Sequence, residues 1–202
     1  QQLVLYRELA SKYDLDVVII GFQTESDVYD NSGELASNPI LRCRIADNGR
    51  LEEVRVSAAQ QYGSRVLNRY SRFYDWQKNV VNGFVKQLRR GVRPLKLQHR
   101  VYDADPEPRY QRAWKLTGKI LEQFQAETSR DGVALFVVSI PDAAQIHRDQ
   151  FARLEEQAGA ASRMEADFPD TRLATICERA GIPYLSLSGP FRSAAPDRDS
   201  RS

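Results

Sequence analysis

Scarce residues set the first limits on this 202-residue chain, which has two histidines, two cysteines and one methionine. Two cysteines, Cys43 and Cys177, cannot build the dense disulfide framework of a small secreted scaffold. With His99 and His147 as the only imidazoles, a mechanism that needs a histidine base must use one of them or a group outside the sequence. No run of 18 apolar residues occurs, so no segment reads as a membrane span. No basic stretch followed by an apolar one opens the chain, so no signal peptide is visible. An excess of one charge is also lacking: 29 Lys+Arg against 27 Asp+Glu leave a formal net charge of +2. Together with 42% hydrophobic residues, that balance excludes wholesale intrinsic disorder. The only methionine is Met164 and the chain opens on Gln1, which reads as the mark of a processed product or of a piece of a longer protein.

The familiar chemical signatures are missing too. There is no G-x-S-x-G elbow, no G-x-x-x-x-G-K-[ST] loop, no G-x-G-x-x-G, no C-x-x-C and no H-E-x-x-H. Nucleotide and zinc sites of those kinds are therefore not expected, and no cofactor is implied. His147 follows a strand end near Ser139, Asp142 and Asp149 and reads as a surface residue. His99 lies in a basic, irregular connector and reads as solvent-exposed. Lys86, Arg89, Arg90, Arg93, Lys96 and Arg100 form an acid-free basic stretch, but it holds no aromatics for base stacking, so nucleic acid is not an expected partner.

What is present is an alternation of helical and strand patterns. Leu3, Leu5, Tyr6, Leu9 and Tyr13 have helical spacing. Asp16-Val-Val-Ile-Ile-Gly-Phe22 is a β-branched run that predicts a strand buried on both faces, as in parallel sheets covered by helices. Residues 23–39 are polar and rich in turn formers, and predict a loop at the C-terminal end of that strand, where α/β ligand sites collect. Residues 40–57 predict a β-hairpin with a type I′ turn at Asn48-Gly49. Residues 64–91 predict a long amphipathic helix, 92–109 an irregular connector, and 110–129 a second helix through Trp114, Leu116, Ile120, Leu121 and Phe124. Val133–Ile140 predicts a second buried strand, 145–162 a helix, and 169–180 a helix with Leu173, Ile176 and Cys177 facing inward. Gly181 ends that helix, and Tyr184–Leu187 predicts a third short strand. The expectation is an α/β protein with a parallel sheet, a single domain over 1–192 carrying the hairpin as an insertion, and a disordered polar tail over 193–202.

One stretch is more specific. Asp16-Val-Val-Ile-Ile-Gly-Phe22 running into Gln-Thr-Glu-Ser-Asp27-Val-Tyr-Asp30-Asn31 resembles the third sequence block of the SGNH (GDSL-like) hydrolases, where a buried strand enters Phe-x-x-Gly-Asn-Asp-x-x-Asp-Asn. Weaker likeness extends from the opening helix to Ala180-Gly-Ile-Pro-Tyr-Leu-Ser-Leu187. The resemblance implies a three-layer α/β/α sandwich of flavodoxin-like type, here incomplete. It also implies serine acyl-transfer chemistry on an ester of a small molecule, carbohydrate or lipid. The site loop it implies comprises Thr24, Glu25, Ser26, Asp27, Asp30 and Asn31. Members of the family are often exported or membrane-anchored through segments outside the matched stretch, so the compartment stays open.

The sequence departs from the family pattern in informative ways. It has no Gly-Asp-Ser nucleophile block and no Asp-x-x-His, so neither the nucleophile nor the catalytic histidine is identified in this chain. Glu25 and Ser26 stand where Gly and Asn are usual. A serine hydroxyl is a weaker oxyanion donor, and a glutamate brings negative charge beside a developing anion. The chain alone is therefore expected to be inactive, an interior piece of an esterase. The alternative is a non-catalytic α/β domain that binds through residues 23–39. The acidic stretch Glu25-Ser-Asp27 with Asp30-Asn31 is of a kind that can bind a cation, but Asp14, Asp16, Asp27 and Asp30 do not follow the spacing of an EF-hand loop, so no metal site is expected, and an Asp that hydrogen-bonds its own loop is the simpler role. Loss of the first strand and the last helix from such a sandwich would expose apolar sheet edges and faces, so aggregation or self-association through exposed edges is expected.

Overall fold

The structure is a computed structural model that describes residues 2–10, 12–36, 42–54 and 95–195. Its centre is a three-stranded parallel sheet formed by β1 (Val17–Phe22), β4 (Ala134–Ser139) and β5 (Tyr184–Ser186), in the order β1-β4-β5. Val17 lies opposite Ala134, and Ser139 lies opposite both Phe22 and Ser186, so the three strands finish on one row. Parallel neighbours need long crossovers. The first runs through α2 (Thr24–Asn31), the two-stranded hairpin β2 (Arg42–Ile45) and β3 (Leu51–Val54), a 3-10 helix at Leu97–Tyr102, and α3 (Pro108–Arg130). The second runs through α4 (Ala143–Ile146), α5 (Arg148–Ala158) and α6 (Phe168–Ala180). Helix α1 (Gln2–Leu9) precedes the sheet and α7 (Ser188–Ala194) follows it.

One core holds these parts together. Ile20 and Phe22 of β1, and Leu135 and Val137 of β4, point into it. Leu3 and Tyr6 of α1, Tyr110, Trp114, Leu121 and Phe124 of α3, and Leu173 and Cys177 of α6 complete it. Burying Trp114 and Phe124 alone removes several hundred Å² of apolar surface from water, the dominant favourable contribution to folding. The expectation that the strands are buried on both faces does not hold for the described residues. Val17, Ile19, Phe136 and Leu185, which alternate with the core residues, are exposed. The sheet residues follow the period of two, but the described helices that join the core pack on a single face.

Several local expectations are corrected. Residues 24–31, expected as a loop, form helix α2, in which the carboxylate of Asp27 accepts the Gln23 N–H at 2.8 Å and so helps close its first turn. The hairpin is present, but its turn is not type I′. Only Gly49 has positive φ, at +78°, and the Gly49 N–H bonds the Ala46 carbonyl, so the connection is a longer loop over 46–50. The single helix expected over 145–162 is two helices broken at His147. The connector contains the 3-10 helix at Leu97–Tyr102. Helix α7 runs to Ala194 and so crosses the boundary expected at 192, where a disordered tail was to start. The helix expected over 64–91 lies outside the described residues, as does most of the tail. Among the described residues, no helix is long and apolar enough to cross a membrane.

Candidate functional site

Because β1, β4 and β5 end on one row, the segments leaving them converge at one edge of the sheet, the edge at which open parallel sheets hold ligands. Phe22 leads through Gln23 into α2, which places Glu25 in its first turn. Ser139 leads through Pro141 to Asp142, which caps α4: Asp142 Oδ1 accepts the N–H groups of Ala144 and Gln145 at 2.8 and 3.0 Å, and the Gln145 side chain accepts the Asp142 N–H. The 3-10 helix crosses the same edge and brings His99 and Tyr102.

These segments assemble a polar cluster. His99 Nδ1 lies 3.1 Å from Glu25 Oε1, and one ligand atom each of Glu25, His99 and Asp142 lie within 4.8 Å of one another. The His99 and Glu25 side chains are only 17% and 18% exposed, which corrects the expectation of a solvent-facing His99. The nearby imidazole holds Glu25 below the usual carboxylate range. Burial, reinforced by the Glu25 carboxyl, holds Asp142 above it, so the two acids differ in their hold on a proton. Tyr102 is fully buried, and burial followed by the negative charge of Asp142 raises its hydroxyl pKa. Neither the Tyr102 hydroxyl nor His99 Nδ1 has a hydrogen-bond partner of good geometry.

A second polar cluster lies under β5. Asp170 of α6, 7% exposed, accepts hydrogen bonds from the hydroxyls of Ser139 and Ser186 at 2.5 and 2.6 Å and from that of Ser188. Every serine donates to it, so the carboxylate ties the ends of β4 and β5 and the start of α7 to one helix.

The expected site residues divide around α2. Glu25 joins the His99–Asp142 cluster. Thr24 is buried, and its hydroxyl has no hydrogen-bond partner. The Ser26 hydroxyl donates to the Gln23 side chain at 3.3 Å and stays local. Asp27, Asp30 and Asn31 line a different cleft, shared with Leu3, Cys43 and Thr117. Burial raises the Asp27 pKa there, and Asn31 Nδ2 reaches Thr117 Oγ1 at 3.4 Å. The expectation that an Asp serves its own segment is met by Asp27. Sequence reasoning missed Asp142, although Asp142-x-x-Gln145 after a strand is a legible capping box. It also missed His99 and Tyr102, for which the sequence carries no local signal.

Comparison of the chain with protein-family models, with curated proteins and with solved structures finds no match in any of the three.

Proposed function

We propose that this chain carries the third-block part of an SGNH-type ester hydrolase site. In this reading the chemistry is serine acyl transfer on an acylated small molecule, carbohydrate or lipid, and the chain is inactive by itself. One observation carries the reading: the resembling stretch 16–31 is a strand–helix unit, β1 into α2, whose junction lies at the C-terminal edge of a parallel sheet. That edge is where backbone and side-chain donors can face a reacting acyl group in an α/β hydrolase of this type. The sheet order also suits the finer assignment, because consecutive parallel strands β1-β4-β5 fit one half of a flavodoxin-like sheet within a three-layer sandwich.

The expected inactivity follows from the residues. No Gly-Asp-Ser and no Asp-x-x-His occurs in the chain, and the Ser26 hydroxyl is engaged with Gln23. Loss of one oxyanion donor lowers rate by about 10²–10³, and loss of the nucleophile removes the covalent step. The purified chain should not turn over p-nitrophenyl acetate above a heat-treated control. Serine-dependent hydrolysis that a fluorophosphonate blocks would defeat the inactivity. The family reading has its own check in the coding sequence on both sides of this stretch. A Gly-Asp-Ser before it and an Asp-x-x-His after it are the expected result, and their absence from both flanks would overturn it.

A second reading has one observation in its favour. Glu25 faces His99 and Asp142 instead of leaving its position free for an oxyanion, which suits a non-catalytic α/β binding domain.

A further inference from the structure

We propose that Glu25, His99 and Asp142 form a binding site for a first-row divalent cation of the zinc type. The inference goes beyond the ester-hydrolase reading and does not depend on it. The three residues come from three separate segments: the first turn of α2, the 3-10 helix, and the cap of α4. Their ligand atoms lie within 4.8 Å of one another. Two donors bound to one zinc at about 2.1 Å in a tetrahedral arrangement stand roughly 3.4 Å apart. The 3.1 Å separation of His99 Nδ1 and Glu25 Oε1 is close to that spacing, and a ligand atom of Asp142 lies within 4.8 Å of both.

The donors fit the ion in kind as well as in place. Two carboxylates and one neutral imidazole cancel the charge of a dication and leave a coordination position open, the pattern of a three-ligand site. One nitrogen among the donors favours zinc, copper, nickel or iron over magnesium and calcium, which prefer oxygen alone. His99 Nδ1 lies against Glu25 Oε1 at 3.1 Å without good hydrogen-bond geometry. A cation that displaces the proton of that nitrogen would find both donors already side by side. Asp142 Oδ1 is fixed by the N–H groups of Ala144 and Gln145, so its carboxylate is oriented from behind as ligating carboxylates usually are.

An independent feature points into the same spot. Tyr102 is fully buried, its hydroxyl has no hydrogen-bond partner of good geometry, and it faces the carboxyl of Asp142. A buried hydroxyl without a partner is costly, and a water carried by a bound cation would satisfy it. Among the described residues, Lys96 places a positive charge near Glu25.

The test uses the full chain, freed of metal with a chelator and titrated calorimetrically with zinc chloride and, separately, magnesium chloride. The expected result is one equivalent of zinc bound with micromolar or tighter affinity, and magnesium at least about 100-fold weaker. Glu25→Gln and Asp142→Asn should each weaken zinc at least about tenfold; the asparagine keeps the helix cap. The second readout uses the wild-type chain alone. His99 and His147 are its only histidines, so diethyl pyrocarbonate labelling read by mass spectrometry resolves them. Zinc should protect His99 and leave His147 reactive. This measurement decides the matter if the variants fail to fold. No zinc uptake would overturn the proposal. Zinc uptake that leaves His99 reactive would overturn it equally.

Discussion

At the scale of the residue, the most consequential group outside the cation cluster is Asp170. It is buried, and three serine hydroxyls from three consecutive parts of the sheet edge donate to it. Hydrogen bonds to a charged group are worth more than neutral ones, and donors left unsatisfied in a buried site cost their full desolvation. Asp170→Ala leaves Ser139 and Ser188 buried without their acceptor, so it should destabilise the chain by about 3 kcal/mol or more. Asp170→Asn retains one acceptor oxygen and should cost about half as much. Urea unfolding followed by circular dichroism measures both, and a loss confined to Asp170→Ala, with the isosteric Asp170→Asn as stable as wild type, would show that volume, not hydrogen bonding, governs the position.

At the scale of the element, the question is what ties helices to one another. Helix α1 is held to α3 by Arg7, whose Nε and Nη2 donate to the two Glu127 oxygens at 2.8 and 2.5 Å, with Gln123 adding a third hydrogen bond at 2.8 Å. Arg7 holds the Glu127 carboxyl below its ordinary value of 4.5. A depressed carboxyl pKa contributes stability that is present above the ordinary value and lost as pH falls through the depressed one. Arg7 is 37% exposed, so solvent screens the pair and Arg7→Ala should cost only about 1 kcal/mol near neutral pH. The difference between wild type and variant should shrink as pH drops below 4.5, where the carboxylate takes up its proton. Urea midpoints near neutral pH and near pH 3 read the change, and a constant difference would sink the linkage. Helix α6 gives a second prediction. It ends at Gly181, with φ at +68°, and a Cβ there would meet nothing within 4 Å. Gly181→Ala therefore carries only the left-handed backbone penalty, about 1 kcal/mol, and Gly181→Asn should cost less. These elements also show what the sequence made legible. The apolar runs at 17–22 and 134–139, the spacing of Trp114, Leu121 and Phe124, and Gly181 after Ala180 all specify structure locally, and each element was found where expected. The hairpin turn was misread because Asn-Gly suits two turn types, and the strand register chose the longer loop. Helix α2 was misread because its polar residues look like a loop until the Asp27 carboxylate closes on the Gln23 N–H. The Glu25–His99–Asp142 cluster was not legible at all. It is made by the crossing of three segments remote in sequence, and no local pattern encodes such a meeting.

At the scale of the whole molecule, the described helices that join the core cover one face of the sheet and leave the other face apolar. Ile19 lies opposite Phe136, and Val138 opposite Leu185, so the exposed side chains form one band across the three strands. Ile19 is 66% exposed, Leu185 55%, Val17 49% and Phe136 38%. A contiguous apolar band on a sheet is more than the scattered exposure that soluble proteins tolerate. Burial of each aliphatic side chain gains about 1.5–3 kcal/mol. The sheet order makes β1 and β5 the edge strands among the described residues, so backbone groups are available beside the band. A second copy of the chain offers the same band, and packing two such faces together would remove apolar surface from water. The expected outcome is concentration-dependent association of the wild-type chain in sedimentation velocity. Ile19→Lys and Leu185→Lys should shift the chain toward monomer without lowering its melting temperature, because an exposed lysine is solvated. A monomeric wild type that is strongly destabilised by the same lysines would mean the opposite: the band is covered within the chain, and the lysine is forced into an interface that water does not reach.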